Sequence, residues 1–472
     1  MAVELQQMHS VNPATEERIA TYPVHSERDV DAALDAAMAR RPSWRATPIA
    51  DRCALMSRVA ELLRERRDPL ASLITAEMGK TIAEARAEVE KCAFTCDWFA
   101  AHAAGFLADE PSPSDSPRSF VAFEPLGTVL AGMPWNYPLW QVFRFAAPGL
   151  CAGNCAVLKH ASNVSGCALA IGDLFKDAGF PRGVFAVLLI PNDRVAAVIE
   201  DPRVAAVTLT GSTAAGRSVG AAAGRSLKPA VLELGGSDAF IVLDDADLEA
   251  AASTAAKARF QNAGQSCIAA KRFIVVDAVA DDFEELLVAE ARRVVVGDPL
   301  RESVTMGPLA RGDLRETLER QLRDSVAAGA RLRCGGGRLD GRGYFVTPAV
   351  LTGCTSEMPA FREETFGPLA AVMRVASADE ALSQANNSDF GLGGNIWTRD
   401  EERGVALARR MDTGGVFVNG MTHSDPRIPF GGVKDSGYGR ELASFGIREF
   451  VNVKTIWRPA NDASSSTGTP AE

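Results

Sequence analysis

Two residues whose side chains could do chemistry stand beside glycines near the middle of the chain. Cys267 ends the stretch Arg259-Phe260-Gln261-Asn262-Ala263-Gly264-Gln265-Ser266-Cys267, and a strand-like run follows at residues 272–276. Gly264 allows a tight bend ahead of the cysteine. A cysteine presented on such a turn is a candidate nucleophile, because a substrate must be able to reach the thiolate. The alternative interpretation is a small buried hydrophobic residue.

The second residue is Glu233, which lies in the apolar stretch Val231-Leu232-Glu233-Leu234 directly before Gly235-Gly236. Burial of an ionised carboxylate is costly, so the pKa of Glu233 is expected to rise. A carboxylate with a raised pKa suits a general base that works near neutral pH. Helix capping or pairing with a buried arginine would explain the same residue structurally.

The elements that must position these residues form an α/β pattern. Amphipathic helices are predicted at residues 29–41, 51–67 and 82–104, and an exposed strand at 119–124. Further on, short apolar runs alternate with helical segments, which predicts parallel sheets with helices on both faces. The natural division is two α/β units that meet near Gly235-Gly236. The predicted strands are 128–132, 155–159, 184–190, 204–209, 229–234, 239–243, 272–276, 344–351, 369–375, 394–398 and 415–418.

Two strand ends carry residues that could bind an anionic ligand. The run Val207-Thr208-Leu209-Thr210 leads into Gly211 and Ser212, where a helix is expected to begin. A helix start can face a phosphate, although Ser212 could also be a plain helix cap. Lys159 ends another predicted strand, at the edge where ligands bind in open α/β sheets. Together they suggest a nucleotide, whereas an exposed surface lysine is the alternative for Lys159.

Composition excludes several classes of protein. The chain has 472 residues, 47% hydrophobic and 23% charged, and a formal net charge of −10. This length predicts two large domains, and the acidic balance argues against nucleic acid as a partner. No apolar run approaches the roughly 18 residues of a membrane span, and no secretory signal is visible. Nine cysteines do not form a disulfide pattern, so a reducing cytoplasm is expected.

A metal site is not expected. The pairs Cys92/Cys96 and Cys151/Cys155 have no second pair of Cys or His residues nearby. A structural zinc site needs four ligands at characteristic spacing.

Taken together, these pieces resemble the NAD(P)-dependent aldehyde dehydrogenase superfamily over nearly the whole chain. Within that family, the chain is most similar to the bacterial succinate-semialdehyde dehydrogenases. The supporting residues are Lys159-His160-Ala161, Arg144, Phe260-Gln261-Asn262, and Gly432-Val433-Lys434 with Gly439-Arg440-Glu441-Leu442. The motifs that carry the resemblance are Pro134-Trp135-Asn136-Tyr137-Pro138, Glu233-Leu234-Gly235-Gly236, Gly264-Gln265-Ser266-Cys267, Glu364-Thr365-Phe366-Gly367-Pro368 and Pro429-Phe430-Gly431-Gly432-Val433-Lys434.

The resemblance implies two Rossmann-type doubly wound α/β domains and a small β arm for oligomerisation. The cofactor-binding domain would comprise residues 1–111 and 131–234, and the catalytic domain residues 235–447. The arm would combine 112–130 with 448–459 and extend the sheet of a neighbouring subunit, which implies a homodimer or homotetramer. Residues 460–472 are rich in Ser, Thr, Pro and Ala and are expected to be a disordered tail.

The resemblance also implies roles for individual residues. Cys267 would be the nucleophile, Glu233 the base that activates water, and Asn136 a donor to the oxyanion. The residues implied for cofactor binding are Trp135, Lys159, Ser162, Gly211, Ser212, Leu234, Glu364 and Phe366. The residues implied for the substrate pocket are Tyr137, Arg144, Gln261, Ser424 and Phe430.

Two positions depart from what the resemblance would suggest. Gln261 stands where some semialdehyde enzymes carry a second substrate arginine. Ser162 stands where strictly NAD-using relatives often carry a glutamate, so we expect NADP to be accepted alongside NAD.

The substrate hypothesis depends on Arg144, which lies in an otherwise apolar stretch. A helix that begins near Pro138 would point Arg144 back toward Asn136. A buried arginine needs an anionic partner, and the functional hypothesis is that this partner is the distal carboxylate of succinic semialdehyde. A salt bridge to a neighbouring acid is the structural alternative, and Arg427 is a reserve cation for the substrate.

Other functions stay open at this point. A broad-specificity or aromatic aldehyde dehydrogenase would use Trp140, Phe143 and Phe145 as apolar lining. A coenzyme A-acylating enzyme is disfavoured because Glu233 can activate water. A catalytically idle structural protein with this fold is disfavoured by Cys267, Glu233 and Asn136.

Overall fold

The computed structural model describes residues 7–112 and 114–459. The helices are α1 (Glu27–Ala46), α2 (Ile49–Glu65), α3 (Arg67–Met78), α4 (Ile82–Phe106), α5 (Trp140–Cys151), α6 (Ser165–Asp177), α7 (Val195–Glu200), α8 (Thr213–Arg225), α9 (Leu248–Phe260), α10 (Asp277–Arg293), α11 (Gly312–Ala327), α12 (Pro359–Arg362), α13 (Ala378–Asn386), α14 (Glu401–Ala408) and α15 (Ala443–Arg448). The strands are β1 (Gln7–Val11), β2 (Arg18–Pro23), β3 (Glu110–Pro111), β4 (Phe120–Pro125), β5 (Thr128–Met133), β6 (Cys155–His160), β7 (Phe185–Val187), β8 (Val204–Thr210), β9 (Ala230–Glu233), β10 (Asp238–Val242), β11 (Ala270–Val276), β12 (Arg331–Cys334), β13 (Ala349–Thr352), β14 (Leu369–Val375), β15 (Phe390–Gly391), β16 (Gly393–Trp397), β17 (Gly415–Val418), β18 (Val433–Lys434), β19 (Gly437–Tyr438) and β20 (Val451–Ile456).

The first large sheet has the strand order β19-β9-β8-β5-β6-β7. Its strands β5 to β9 pair in parallel, as their continuous apolar sequences predict. The chain order reverses between β5 and β8, and open α/β sheets bind ligands at the carboxyl ends of strands beside such a reversal. Pro134 to Asn136 follow β5, and Gly211 follows β8, so these residues share that edge.

The second large sheet has the order β12-β13-β14-β11-β10-β16-β17. Only the edge strand β12 pairs antiparallel, and the other pairs are parallel. Cys267 lies just before β11, and Glu364 lies a few residues before β14. The turns that enter this sheet therefore carry residues toward the edge of the first sheet where its strands end.

The predicted α/β architecture with two doubly wound sheets is confirmed, and most predicted strands lie within a few residues of the observed ones. The run 344–351 is shorter than predicted, because only Ala349–Thr352 forms a strand. Pro348 has no N–H to donate to a ladder, and the N–H of Tyr344 bonds instead to the carbonyl of Pro13. The sequence analysis also missed α3 and the antiparallel pair β1–β2.

A small third sheet joins the segment 110–125 to the segment 451–456, with the order β20-β4-β3. Its long pair runs from Val451 opposite Pro125 to Ile456 opposite Phe120. The two strands of this pair, β4 and β20, fall in the segments predicted to form the arm. The predicted disordered tail, 460–472, lies outside the described residues.

Three strands do not respect the predicted domain boundaries. β3 lies in the range of the cofactor-binding domain but pairs with β4 of the arm, and β5 begins in the arm range but belongs to the first sheet. β19 comes from the range assigned to the catalytic domain, yet it pairs with Leu232 and Glu233 in the first sheet. Within the described ranges, no helix is both long and apolar enough to cross a membrane.

Candidate active site

The turn that presents Cys267 has a strained backbone. Asn262 and Ala263 adopt positive φ angles of 51° and 52°, which cost free energy for residues with a side chain. Gly264 follows with φ 73°, and a Cβ at this position would lie 2.4 Å from the carbonyl oxygen of Gly367. The predicted role of Gly264 in a tight bend is therefore confirmed.

Asn136 lies against this turn through a small amide network. Its Nδ2 donates to the carbonyl oxygen of Gln265 at 3.1 Å, and Asn262 Nδ2 donates to the carbonyl oxygen of Asn136 at 2.9 Å. The turn is also held from outside, because the N–H of Asn262 donates to Glu84 Oε1 at 2.7 Å. The end of β5 and the cysteine turn are thereby fixed relative to each other. One N–H of the Asn136 amide remains for another acceptor.

Cys267 lines two cavities that meet at its side chain. One has a volume of about 290 Å³ and the other about 250 Å³, and Gln141 is the other residue common to both. Burial raises the pKa of the Cys267 thiol to about 12, although the positive charges of Arg144 and Lys271 oppose that rise. The thiol is therefore placed where two ligands entering from different sides would meet.

Glu233 is buried at the end of β9, and burial raises the pKa of its carboxyl well above the usual value. The sequence-based prediction of a raised pKa is confirmed. Neither carboxyl oxygen has a hydrogen-bond partner among the described residues. Glu233 does not line either cavity that Cys267 borders. The charge of Glu233 nevertheless acts on the Cys267 thiol.

The eight residues predicted to bind a cofactor all line a pair of adjoining cavities. The 250 Å³ cavity beside Cys267 shares Pro134, Trp135, Thr210, Gly211 and Arg311 with a larger one of about 540 Å³. Lys159 and Ser162 lie in the larger cavity. The residues that line the smaller one are Trp135, Gly211, Ser212, Leu234, Glu364 and Phe366.

This pair of cavities fits an extended nucleotide. Lys159 Nζ donates to Asn192 Oδ1, and burial lowers the pKa of Lys159 to about 8. No carboxylate lies within 4 Å of the Lys159 ammonium in the described chain, so the charge is available to an anion. Ser212 caps the start of α8 by accepting a hydrogen bond from the N–H of Ala215 at 3.3 Å. The predicted cap is thus observed, and it also puts a helix start at the cavity wall.

Glu364 is tied to both the cysteine turn and the double glycine. Its Oε1 accepts a hydrogen bond from the N–H of Gly236 at 3.0 Å and lies 3.8 Å from Lys271 Nζ. Lys271 Nζ in turn donates to the carbonyl oxygen of Cys267 at 2.8 Å. A Cβ on Gly236 would lie 2.4 Å from that same oxygen, which explains why a glycine stands there.

The five residues predicted for the substrate pocket all line the 290 Å³ cavity with Cys267. They are Tyr137, Arg144, Gln261, Ser424 and Phe430. They come from α5 and the loop before it, from the end of α9, and from the loop 419–432. Of the apolar residues considered for an aromatic substrate, Trp140 lines the cavity. Phe143 and Phe145 do not, because they pack against Phe175 and Phe450 in the interior.

The structure shows an acidic partner for Arg144, and its role as a ligand of the substrate carboxylate stays a prediction. The Arg144 guanidinium forms a buried ion pair with Glu441 and donates to Thr210 Oγ1 at 3.1 Å. Its Cζ lies 4.7 Å from the ring centroid of Phe430. The salt bridge named as the structural alternative is therefore present, and Arg144 also lines the cavity beside Cys267. The reserve cation Arg427 is likewise paired, with Asp425 at 2.6 Å.

Known proteins share both the sequence and the fold of this chain. The model of the aldehyde dehydrogenase family matches residues 2–456. The chain belongs to the aldehyde dehydrogenase family.

Similar relatives carry related names. A probable NADP(+) succinate-semialdehyde dehydrogenase of Synechocystis is 50% identical over 95% of this chain and 99% of the relative. The NAD(P)+ succinate semialdehyde dehydrogenase Sad of Escherichia coli is 49% identical over 95% of this chain and 97% of the relative. Among solved structures, succinic semialdehyde dehydrogenase from Streptococcus pyogenes in complex with NADP+ is 38% identical. It has a TM-score of 0.94 and covers 96% of this chain and 100% of the other.

Several residues that shape the site of this aldehyde dehydrogenase were not predicted. Arg259 is buried and donates to the carbonyl oxygens of Thr365 at 3.0 Å and Gly367, which ties the cysteine turn to the segment that carries Glu364. Glu441 lies in the motif Gly439-Arg440-Glu441-Leu442, but no role in the site was predicted for it. The signal that could have found both is a charged residue in an otherwise small or apolar segment, since a buried charge needs a partner.

Lys91 is the other residue that the sequence analysis missed. It lies in α4 and lines the substrate-side cavity. Nothing in the sequence around Lys91 distinguishes it from an exposed helical lysine. In the part of the chain that the structure describes, no group of three or more His, Cys, Asp or Glu residues could hold a metal ion.

Proposed function

We propose that this aldehyde dehydrogenase oxidises succinic semialdehyde to succinate and uses NADP+, with NAD+ also accepted. The observation that carries the proposal is the position of Cys267, where an extended cavity at strand ends meets a short cavity with several cations. The names of the relatives in Synechocystis and Escherichia coli support the same substrate and cofactors. An anionic four-carbon aldehyde suits a small cavity whose charged residues include Lys91 and Arg144.

The first chemical half of the reaction takes place on Cys267. Its sulfur, as the thiolate, attacks the aldehyde carbon and forms a thiohemiacetal. The remaining N–H of the Asn136 amide donates to the oxygen that becomes negative, together with the backbone N–H of Cys267. As a hydride leaves the carbon, the negative oxygen re-forms its double bond to that carbon, which converts the thiohemiacetal anion into a thioester. A nicotinamide cofactor, when bound, would supply the acceptor for that hydride.

The second half releases the acid. Glu233 removes a proton from a water molecule as the water oxygen bonds to the thioester carbon. The carbon–sulfur bond then breaks, which gives the carboxylic acid and restores Cys267. The buried position of Glu233 raises the pKa of its carboxyl, so its basic form is stronger than an exposed carboxylate.

The residues at the strand ends of the first sheet would hold the cofactor. In this proposal Lys159 and Ser162 contact the adenosine ribose, and Ser212 with the start of α8 faces the pyrophosphate. Glu364 would hold the nicotinamide ribose, and Trp135 and Phe366, whose ring centroids are 5.7 Å apart, would border the nicotinamide. Because Ser162 brings no negative charge, a 2′-phosphate would not be repelled there.

The experiment that tests the function is an aldehyde panel with both cofactors. Reduced cofactor is followed by absorbance with succinic semialdehyde, butanal and benzaldehyde, each with NADP+ and with NAD+. The expected result is the highest kcat/KM for succinic semialdehyde with NADP+. A higher kcat/KM for butanal or benzaldehyde would contradict the proposed substrate, and absence of any reduction would favour an idle structural protein.

The assembly is a separate proposal. The sheet β20-β4-β3 leaves β20 at an edge, with Val453 62% and Trp457 54% exposed. Such an edge can pair with another subunit, which supports the arm at 112–130 and 448–459 and a homodimer or homotetramer. The domain boundaries and a cytoplasmic location remain predictions. Light scattering of the purified protein would give the number of subunits.

A further inference from the structure

Two glutamates of α4 stand one helical turn apart and face the active site. Glu84 and Glu88 are separated by four residues, so their side chains leave the helix on the same face. Both line the cavity that contains Cys267. Glu90, two residues further on, is 52% exposed and pairs with Arg64 at the surface. The two inward-facing glutamates, here the acidic pair of α4, therefore differ from the outer acid of the same helix.

Glu88 holds the start of α5. Its Oε1 accepts hydrogen bonds from the N–H groups of Leu139 at 2.9 Å and Trp140 at 3.0 Å. The first N–H groups of a helix have no partner within that helix, and the side chain of the N-cap residue, Leu139, supplies none for α5. A carboxylate near these groups is also favoured by the helix dipole. Glu88 thereby fixes the point where the loop that carries Asn136 enters α5.

Lys80 holds the other side of the Glu88 carboxylate. Its ammonium donates to Glu88 Oε2 in a fully buried ion pair, which leaves Oε1 for the start of α5. The same ammonium lies 3.6 Å from the ring centroid of Tyr137, the residue that follows Asn136. Since Glu88 is only 4% exposed, bulk water does not compete for these bonds. The Glu88 carboxylate is therefore held in one orientation.

Glu84 holds the turn that presents the cysteine. Its Oε1 accepts a hydrogen bond from the N–H of Asn262 at 2.7 Å, and its Oε2 accepts one from the Thr81 hydroxyl at 2.8 Å. Thr81 is the N-cap of α4, so the carboxylate is oriented by the end of its own helix. Asn262 has a positive φ, and such a conformation persists only where the surroundings hold it. Glu84 supplies one such contact from outside the turn.

The acidic pair thus grips both parts of the proposed oxyanion site. The Asn136 amide and the backbone N–H of Cys267 would donate to the same oxygen, so their relative placement decides how well they stabilise it. The direct link between loop and turn runs through Asn136 itself, whose amide donates to the carbonyl oxygen of Gln265. The link through α4 does not involve that amide. It joins two neighbouring positions of one helix, which are only about 5–6 Å apart at their Cβ atoms.

We propose that the acidic pair of α4 positions the two oxyanion donors relative to each other. Glu88 places Asn136 through the start of α5, and Glu84 places Cys267 through Asn262. Neither glutamate takes a proton or contacts the reacting atoms in this proposal, so both are positioning residues. The inference rests on the proposed roles of Asn136 and Cys267 and deepens them, because it identifies what holds these two groups in place.

The first test replaces Glu84, which is partly exposed and whose loss the fold should tolerate. Glu84→Ala removes the acceptor of the Asn262 N–H, Glu84→Gln keeps an oxygen for it, and Glu90→Ala is the control from the outer face of α4. A misplaced donor should lower kcat about ten- to a hundred-fold in Glu84→Ala, equally with succinic semialdehyde and butanal. The KM of each aldehyde should stay within about three-fold of wild type. Glu84→Gln should recover most of the loss, and Glu90→Ala should keep the wild-type kcat.

A double-mutant cycle shows whether Glu84 acts through the oxyanion site. If its effect is to place the turn opposite Asn136, that effect should largely vanish once the Asn136 amide is gone. In an Asn136→Ala background, Glu84→Ala is therefore expected to lower kcat by no more than about three-fold. A residue that only supports the fold would slow both backgrounds by the same factor.

Glu88 requires double variants, because its removal alone would leave Lys80 buried without a partner. Lys80→Met/Glu88→Gln keeps an acceptor for the start of α5, and Lys80→Met/Glu88→Met removes it. The kcat of the second variant should be about ten-fold or more below that of the first. If the second variant does not fold, as its melting temperature would show, the Glu84 cycle decides the inference.

The outcomes separate this inference from the proposed function. A wild-type kcat in Asn136→Ala would mean that the proposed oxyanion role is wrong, and the inference would fall with it. If Asn136→Ala is slow but Glu84→Ala is not, or if Glu84→Ala slows both backgrounds equally, only the positioning role is overturned. A change confined to the KM of succinic semialdehyde would make Glu84 a substrate-binding residue instead. A loss in Glu90→Ala as large as that in Glu84→Ala would also overturn the inference.

Discussion

The two sides of the site are built differently. On the cofactor side, Trp135, Lys159, Gly211 and Leu234 stand at or just beyond the ends of parallel strands of one sheet. On the substrate side, the lining comes from α4, from α5 with the loop before it, from the end of α9 and from the loop 419–432. The cofactor-side cavities are thus lined mainly by the strand ends of one sheet, with Glu364 and Phe366 added from the loop before β14. The substrate-side cavity is lined by four elements that are distant in sequence.

The charges differ in the same way. Lys159 on the cofactor side needs no acid near it, because a strand end at a sheet edge leaves it free for a phosphate or ribose. On the substrate side, two of the four cations that line the cavity have buried acidic partners, Glu88 and Glu441. The position of a cation in a pocket therefore does not by itself show that it binds an anionic ligand, because an acidic side chain of the protein can already neutralise its charge.

Cys267 belongs to both sides, so its removal is expected to have the largest effect. Cys267→Ala should abolish aldehyde oxidation, because neither hydride release nor thioester formation can proceed without the thiolate. Binding of NADP+, followed by fluorescence quenching, and the melting temperature should be close to wild type. The buried Cys92→Ala is the control and should stay active. Measurable steady turnover in Cys267→Ala would remove this residue from the mechanism.

Glu233 acts after the two ligands have reacted, and its replacement should separate the two halves of the reaction. Glu233→Gln should give a burst of reduced cofactor and then a steady rate about a hundred-fold or more below wild type. In the wild type, the rate of thioester hydrolysis should rise with pH through the raised pKa of Glu233, since only the ionised carboxylate is a base. That rise should be absent in the variant. Rapid-mixing kinetics measure both quantities, and a wild-type steady rate without a burst would contradict the role of Glu233.

Replacement of Arg144 tests whether this residue acts through its ion pair with Glu441 or as a ligand of the substrate carboxylate. Arg144→Leu leaves Glu441 buried without its partner, so the free energy of unfolding should fall by about 3–5 kcal/mol. Activity on succinic semialdehyde and on butanal should fall together. Arg427→Leu is the matched control, because the Arg427 side chain is 59% exposed and water can replace it beside Asp425, so its removal should cost little stability. Denaturant titration measures the stability. A loss confined to succinic semialdehyde would instead restore Arg144 as a direct ligand of the substrate.

Ser162 tests the cofactor side and should have the smallest effect. Ser162→Glu places a carboxylate in the cavity with Lys159, where it would accept hydrogen bonds from a ribose and repel a 2′-phosphate. The ratio of kcat/KM for NADP+ to that for NAD+ should fall about ten- to a hundred-fold. Ser162→Ala, which adds no charge, should largely keep the wild-type ratio. An unchanged ratio in Ser162→Glu would mean that the ribose is bound elsewhere.

Local patterns were sufficient to single out Lys159, Gly211 and Ser212 on the cofactor side and the candidates Cys267 and Glu233, whereas the other site residues came from the resemblance to the family. An apolar run followed by a glycine predicts a strand end, and strand ends of one parallel sheet lie at a common edge without further information. The raised pKa of Glu233 follows from an acid in an apolar strand. The bend at Gly264 follows from a glycine before a cysteine, although the positive φ angles of Asn262 and Ala263 carry no sequence signal.

The partners of charged side chains were decided only by the tertiary structure. The sequence predicted that Arg144 needs an anion, but Glu441 reaches it from a different part of the chain. Lys91 resembles any helical lysine in sequence, yet it meets Ser424, which is 333 residues away. The strand pattern depends on neighbours along the chain, whereas the free energy of a buried charge depends on whatever the fold brings within a few ångströms of it. The sequence by itself therefore determined the sheets and the candidates for nucleophile and base, and the packing of α4, α5 and the loop 419–432 decided how the charged side chains around the cavity pair.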